Sequence, residues 1–129
     1  MKKIFLLVCF ISFLIAGVKN VSVTPKIVDS GIKIIDIRTE PEWFQTGIIK
    51  GSIPITFFNE RGGYDVEAFL NELNKHIKRG EEFALICRTG NRTTAVSDFL
   101  GRNGYNVINL KGGIVSLLRQ GYKLEPYKK

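Results

Sequence analysis

Four short runs rich in β-branched residues, each bounded by turn formers, fix what this chain can fold into: residues 32–37 (IKIIDI), 52–55 (SIPI), 83–86 (FALI) and 106–109 (NVIN). Runs this short and this apolar read as strands covered on both faces. Between the second and third, Val66, Phe69, Leu70, Leu73 and Ile77 fall at i, i+3, i+4, i+7 and i+11. That is one stripe of a helix, which Asp65 can cap and after which Gly80 follows a basic end. A second helix is predicted from about Arg92 to Asn103, with Ala95, Val96, Phe99 and Leu100 on one face and Gly104 as its stop. Residues 40–45 give a short helix whose start has the form of a capping box, Thr39 paired with Glu42. A last helix runs from about Gly113 to Arg119. Strands that alternate with helices require parallel pairing through right-handed crossovers, so the expected class is α/β, a three-layer α/β/α sandwich. Residues 21–23 offer an edge strand, and the polar tail 122–129 is expected to be loosely held.

The amino terminus is of a different kind. Two lysines precede an apolar run from Ile4 to Ile15 broken only by Ser12, the build of an export signal. The run is shorter than the roughly 20 residues that span a bilayer, so cleavage between Ala16 and Ser22 is expected, with an uncleaved membrane anchor as the alternative. The chain therefore divides into residues 1–20, a signal peptide, and 21–129, one domain, exported and on this reading periplasmic. The formal charge is +7, but Lys2, Lys3 and Lys19 lie in the first twenty residues, which hold no acid, leaving +4 beyond them. No block of basic residues interleaves with aromatics, so nucleic acid is not an expected partner. A modest basic excess suits a small anionic substrate. Cys9 lies within the apolar run, so removal of the signal leaves Cys87 as the single cysteine. A lone thiol in an oxidising compartment cannot form an internal disulfide and is either inert packing or reactive.

Its surroundings decide between the two. Cys87 directly follows the strand FALI, and five residues later Arg92 opens a helix. Ligands of open parallel sheets bind beyond the carboxyl ends of the strands. The loop Cys87, Arg88, Thr89, Gly90, Asn91, Arg92 can curl there with its N–H groups inward, Gly90 and Asn91 tolerating the positive φ a curl needs. Inward amides and the positive end of the helix hold an anion, and the thiolate is the nucleophile. Arg88 and Arg92 add charge for orienting an anionic donor. A cysteine that merely ends a core strand is often inert. Two arginines, a glycine and a helix start mark this one as a functional thiolate, with Cys87 catalytic and Arg88, Thr89, Gly90, Asn91 and Arg92 binding substrate.

CRTGNR after an apolar strand resembles the active-site loop of rhodanese-family sulfurtransferases. The stretch DIRTEPEWFQTGIIKGSIPI, from Asp36 to Ile55, is similar to that family's upstream signature, and NLKGGI, from Asn109 to Ile114, to its Gly-Gly turn before the last helix. Together they span about residues 22–122, and in size and signal the chain resembles the small exported phage-shock-protein E type. The resemblance implies a rhodanese-like fold round a five-stranded, mainly parallel sheet and a ping-pong sulfur transfer. Cys87 would take a sulfane sulfur from a donor such as thiosulfate, hold it as a persulfide and pass it to cyanide, a thiol or a protein acceptor. No cofactor is implied, and a monomer is expected. Ile48 stands where the family often has His, and Leu117 where it often has Trp, departures that bear on rim contacts and donor preference.

The remaining candidates are weaker. Arg38 can reach the loop from a neighbouring strand end or pair with Asp36, and is carried as a substrate-binding candidate. Lys111 can line the pocket mouth. His76 lies among polar residues near a helix end and reads as solvated, and one cysteine with one histidine cannot close a zinc site. Trp43, Phe44, Phe57, Phe58 and Tyr64 read as core by default. Two other functions compete. A cysteine-dependent phosphatase or arsenate reductase also cradles a thiolate, but tyrosine-phosphatase-like loops place five residues between cysteine and arginine, and here there are four, with Thr93 at the arginine's position. A persulfide carrier or binding module serving a protein partner would need the same Cys87 and the same cradle.

Overall fold

In a computed structural model that describes residues 16–129, the chain forms five strands and five helices. They are β1 (Gly17–Ser22), α1 (Pro25–Val28), β2 (Ile34–Asp36), α2 (Glu40–Thr46), β3 (Ile53–Pro54), α3 (Val66–His76), β4 (Glu82–Ile86), α4 (Asn91–Arg102), β5 (Asn106–Lys111) and α5 (Gly113–Arg119). The apolar run of the expected export signal lies outside the described residues. Among those described, no helix is long and apolar enough to cross a membrane.

The sheet order is β1-β5-β4-β2-β3 and every pairing is parallel. This is the expected five-stranded α/β architecture, with β4 at its centre. Alternation of side chains across the pleat divides the core. Phe83, Leu85 and Cys87 face one side, where Phe69 and Leu73 of α3 and Val96 and Leu100 of α4 close the layer. Ala84 and Ile86 face the other, against Val28 of α1 and Ile114 and Leu117 of α5. Because β4 is covered on both faces beyond its exposed first residue, Glu82, the rest of its sequence carries no polar position, and that is why it reads as a continuous apolar run.

Local chemistry starts the helices where the sequence indicates. Asp65 accepts from the Ala68 amide at 3.0 Å to open α3, and a capping box on Thr39 and Glu42 opens α2. Three expectations change. The edge strand is longer than residues 21–23, running Gly17–Ser22 in register with Asn106 to Lys111. Asn91 takes no positive φ and is the first residue of α4; only Gly90 turns, at φ 101°. The tail is docked, not loose. Ile48 and Glu125 exchange backbone hydrogen bonds of 2.8 and 2.9 Å, and the Tyr127 ring packs 5.2 Å from Trp43 and 4.9 Å from Phe44. A polar composition concealed Tyr127, which covers Trp43 and Phe44, and Tyr122 and Leu124, which pack against the core.

Candidate active site

Cys87 leaves the carboxyl end of the central strand, and its side chain is buried, 1% exposed, at the mouth of α4. The Gly90 amide donates to its Sγ at 3.2 Å, and the thiol lies 3.6 Å from Thr93 Oγ1, to which it can donate. Thr93 and Thr94 in turn donate their hydroxyls to the Gly90 carbonyl at 3.1 and 2.8 Å. The loop is thus closed on the first turn of a twelve-residue helix whose amide end faces the sulfur. Only glycine fits the turn: a Cβ on Gly90 would stand 3.1 Å from the Gly112 amide nitrogen, at a φ that L-residues disfavour.

A second helix holds the loop from behind. The Ile114 and Val115 amides at the start of α5 donate to the carbonyls of Cys87 and Arg88 at 2.9 and 3.0 Å. This contact explains the Gly-Gly turn. A Cβ on Gly113 would meet both of those carbonyl oxygens at 2.5 Å, so a side chain there cannot coexist with the loop in this position.

The two loop arginines have different fates. Arg88 is exposed, and among the described residues it makes no ion pair. Arg92 is engaged: it donates to both Glu42 carboxylate oxygens at 2.6 and 2.7 Å, a fork-to-fork pair joining α4 to α2. Burial raises the Glu42 carboxyl, but the Arg92 and Thr39 hydrogen bonds and the guanidinium charge outweigh it and hold the group at about 2. The same bonds raise Arg92, against its burial. Arg92 was expected to bind substrate; its partly exposed guanidinium is bonded to Glu42 and holds the start of α4 against α2. Glu42 was read only as a helix cap, although its place in the third helical position leaves the carboxylate free to serve two partners.

Arg38 is corrected outright. It is 0% exposed, bonded to both oxygens of the equally buried Asp36 at 2.8 to 3.2 Å, to Thr46 Oγ1 at 2.7 Å and to the Gly47 carbonyl at 2.9 Å. With its donors consumed it is a strut between β2 and α2, not a substrate contact. Thr89 and Asn91 are exposed on the loop, and Lys111 has its Cα beside Gly90. His76 lies at the amino end of the strands, where its carbonyl accepts from Lys33, so no Cys-His pair forms. Phe57 and Trp43 are core, whereas Phe44 and Tyr64 are more than half exposed.

A parallel α/β sandwich with a cysteine at the end of its central strand, its sulfur met by the Gly90 amide at the start of a helix, defines a class: thiol proteins that hold an anion or a sulfur at a helix mouth. Comparison with known proteins narrows it. Residues 20–120 match the model of the rhodanese-like domain family, and the chain belongs to that family. It is 27% identical over 88 residues to YtwF of Bacillus subtilis (strain 168), named as a candidate sulfurtransferase, covering 68% of this chain and 75% of that one. Among solved structures it is similar to a rhodanese-related protein of Thermoplasma volcanium, at 30% identity and TM-score 0.56, covering 75% of this chain and 84% of that one. It also resembles SSP1007 of Staphylococcus saprophyticus, at 29% identity and TM-score 0.54 over 70% and 81%.

Proposed function

We propose that this protein is a sulfurtransferase in which Cys87 carries a sulfane sulfur as a persulfide. Sulfur transfer in general is supported by the family and by the Bacillus relative. The persulfide and a donor such as thiosulfate are read from the site. In the first half-reaction the Cys87 thiolate attacks the outer sulfur of thiosulfate; the donor's S–S bond breaks and sulfite leaves with the electron pair. In the second, a thiophile such as cyanide or a thiol attacks the outer sulfur, and the Cys87 thiolate departs. The single observation that carries this reading is the Gly90 amide aimed at Sγ at the N-terminus of α4. A loop this tight suits one sulfur atom, and the Gly90 amide together with the N-terminal end of α4 stabilises the charge that appears there. Arg88, exposed and unpaired among the described residues, is the cation left to draw in the donor; Arg92, tied to Glu42, fixes the shape of the cradle.

The phosphatase alternative is disfavoured by a specific feature. Where such loops carry their arginine, this one has the uncharged Thr93, fully buried behind the sulfur. Export is likewise proposed from residues 1–15 alone. Since β1 begins at Gly17, processing that spares the edge strand cuts at or before that residue.

The test is turnover. With thiosulfate and cyanide, the purified protein is expected to form thiocyanate and sulfite in equal amounts, and Cys87→Ala to form neither. An aryl phosphate should be hydrolysed negligibly. Phosphate release without thiocyanate would reject this assignment, and sulfur loading without turnover would mark a carrier.

A further inference from the structure

Three donors crowd one oxygen behind the reacting sulfur. The Gly90 carbonyl accepts from the Thr94 amide at 3.1 Å, from the Thr94 hydroxyl at 2.8 Å and from the Thr93 hydroxyl at 3.1 Å. A carbonyl oxygen has two lone pairs. The Thr94 amide and hydroxyl fill them, the hydroxyl at the shortest distance of the three, and Thr93 is the surplus donor. Thr94 is kept in this role from its far side. The side-chain amide of Asn109, 1% exposed, donates to Thr94 Oγ1 at 3.2 Å and to Asn20 Oδ1 of β1 at 3.0 Å. With the Asn109 N–H taken on its oxygen, the Thr94 hydroxyl has its own hydrogen left for Gly90.

Thr93 is placed to use that freedom. It is 0% exposed, so its hydroxyl is out of reach of bulk water, and its Oγ1 lies 3.6 Å from Cys87 Sγ. Rotation about one bond, Cβ–Oγ1, carries the hydrogen from the Gly90 carbonyl to the sulfur while every heavy atom stays in place. Charge decides which acceptor holds it. In a thiol or a persulfide Sγ is uncharged and a weak acceptor, and the Thr93 hydrogen stays on Gly90. The hydrogen of the free thiol then points to Thr93 Oγ1, the arrangement in which the thiol donates. A thiolate is a strong acceptor, because a hydrogen bond to an ionised group is roughly twice as strong as one between neutral partners. Leaving Gly90 for a charged Sγ costs little, since Thr94 still fills the carbonyl.

We propose that Thr93 is a catalytic residue, the hydroxyl donor that stabilises the Cys87 sulfur as it leaves the persulfide. The inference rests on the persulfide reading above and assigns a role within it. When cyanide attacks the outer sulfur of the persulfide anion, the carbon–sulfur bond of thiocyanate forms, the bond between Sγ and the outer sulfur breaks, and Sγ keeps that electron pair as a thiolate. Negative charge therefore appears on Sγ during discharge. The Thr93 hydrogen turns to meet it, beside the Gly90 amide at 3.2 Å. Loading moves charge the other way, since Sγ begins as a thiolate and ends uncharged. Only an interaction stronger in the transition state than before it speeds a step. Thr93 thus speeds discharge and gives no such help to the attack of a thiolate already formed. It donates a hydrogen bond and transfers no proton, and no oxidant or reductant is consumed.

The test separates the two half-reactions in single turnovers. Loading with thiosulfate is followed at a pH beyond which its rate no longer rises, and discharge by cyanide on loaded protein freed of excess donor. Thr93→Val removes the hydroxyl at nearly constant shape and should lower the ratio of discharge rate to loading rate about tenfold. Thr93→Ser, which restores a hydroxyl, should bring that ratio back to within about threefold of wild type. Thr94→Val, at an exposed helix position, empties one lone pair of the Gly90 carbonyl, ties the Thr93 hydrogen back to it and should lower the ratio about threefold. The Thr94 variant carries the test alone if Thr93→Val does not fold. An unchanged ratio in the folded valine variants would overturn the assignment: equal slowing of both steps would make the two threonines packing supports, and full speed in both would make the hydroxyls idle. Either result leaves the persulfide intact. Failure of the wild type to gain sulfur would instead reject the reading beneath it.

Discussion

At the residue scale the site turns on two side chains with opposite legibility. Cys87 could be found from sequence because its signal is local: a strand before it, a helix after it, a glycine between, all within the run from Phe83 to Arg92. Glu42 could not be placed so easily. It lies fifty positions from Arg92, and nothing in the spacing of the two says that α2 and α4 meet. The same limit hid the fate of Arg38, whose five donors are matched by acceptors drawn from β2 and α2. The Glu42–Arg92 pair makes a pH prediction. Its carboxyl is held at about 2 in the folded chain, against 4.5 for the free group. A depressed value adds stability that is present above the unfolded value and lost as pH falls toward the folded one. After allowance for its partial exposure this is about 1–2 kcal/mol. Wild-type thermal stability should therefore decline from about pH 4.5 to 2 more steeply than that of Glu42→Gln, and the two melting curves should converge at the acid end. Parallel curves across that range would mean that the pair is idle.

At the element scale, the loop is held by the starts of two helices: Gly90, the N-cap of α4, presents its amide to the sulfur, and α5 presents the Ile114 and Val115 amides to the loop carbonyls. The long stripes of α3 and α4 and the apolar run of β4 made those elements readable, since each repeats its signal over several residues. The four-residue helix α1 was missed because it is too short for any periodicity. Its only marks are a Thr24 cap and a proline at the start, Pro25. β1 was read at less than its length because an edge strand partly open to solvent mixes Lys19 and Asn20 with Val18 and Val21. The grip of α5 on the loop is testable at Gly113, where a methyl group would collide with the carbonyls of Cys87 and Arg88 at φ 62°. Gly113→Ala should cost about 2–4 kcal/mol in chemical unfolding and should depress sulfur loading per folded molecule. Gly31→Ala, at φ 90° with open space around it, should cost only about 1 kcal/mol and leave loading intact. Equal losses at the two positions would show that backbone strain alone matters and that the loop does not lean on α5.

At the scale of the whole molecule, the sheet brings its chemistry to one end. Cys87 and its loop gather at the carboxyl end of β4, while β1 starts at the opposite end, where Gly17 donates to the Tyr105 carbonyl. Gly17 therefore lies at the end of the sheet away from the reacting sulfur along the strand direction, and the docked tail closes over Trp43 on α2. The parallel sandwich was legible from the alternation of elements, but how the chain ends pack was not, because Glu125 and Tyr127 find their partners only once α2 is in place. What the assembled molecule does reduces to whether its one described cysteine holds a sulfur. The direct measurement is intact mass after incubation with thiosulfate and removal of the excess donor. The account predicts a gain of one sulfur atom, about 32 Da, reversed by cyanide and absent in Cys87→Ala. An unchanged mass in the wild type, or an equal gain in the variant, would contradict it.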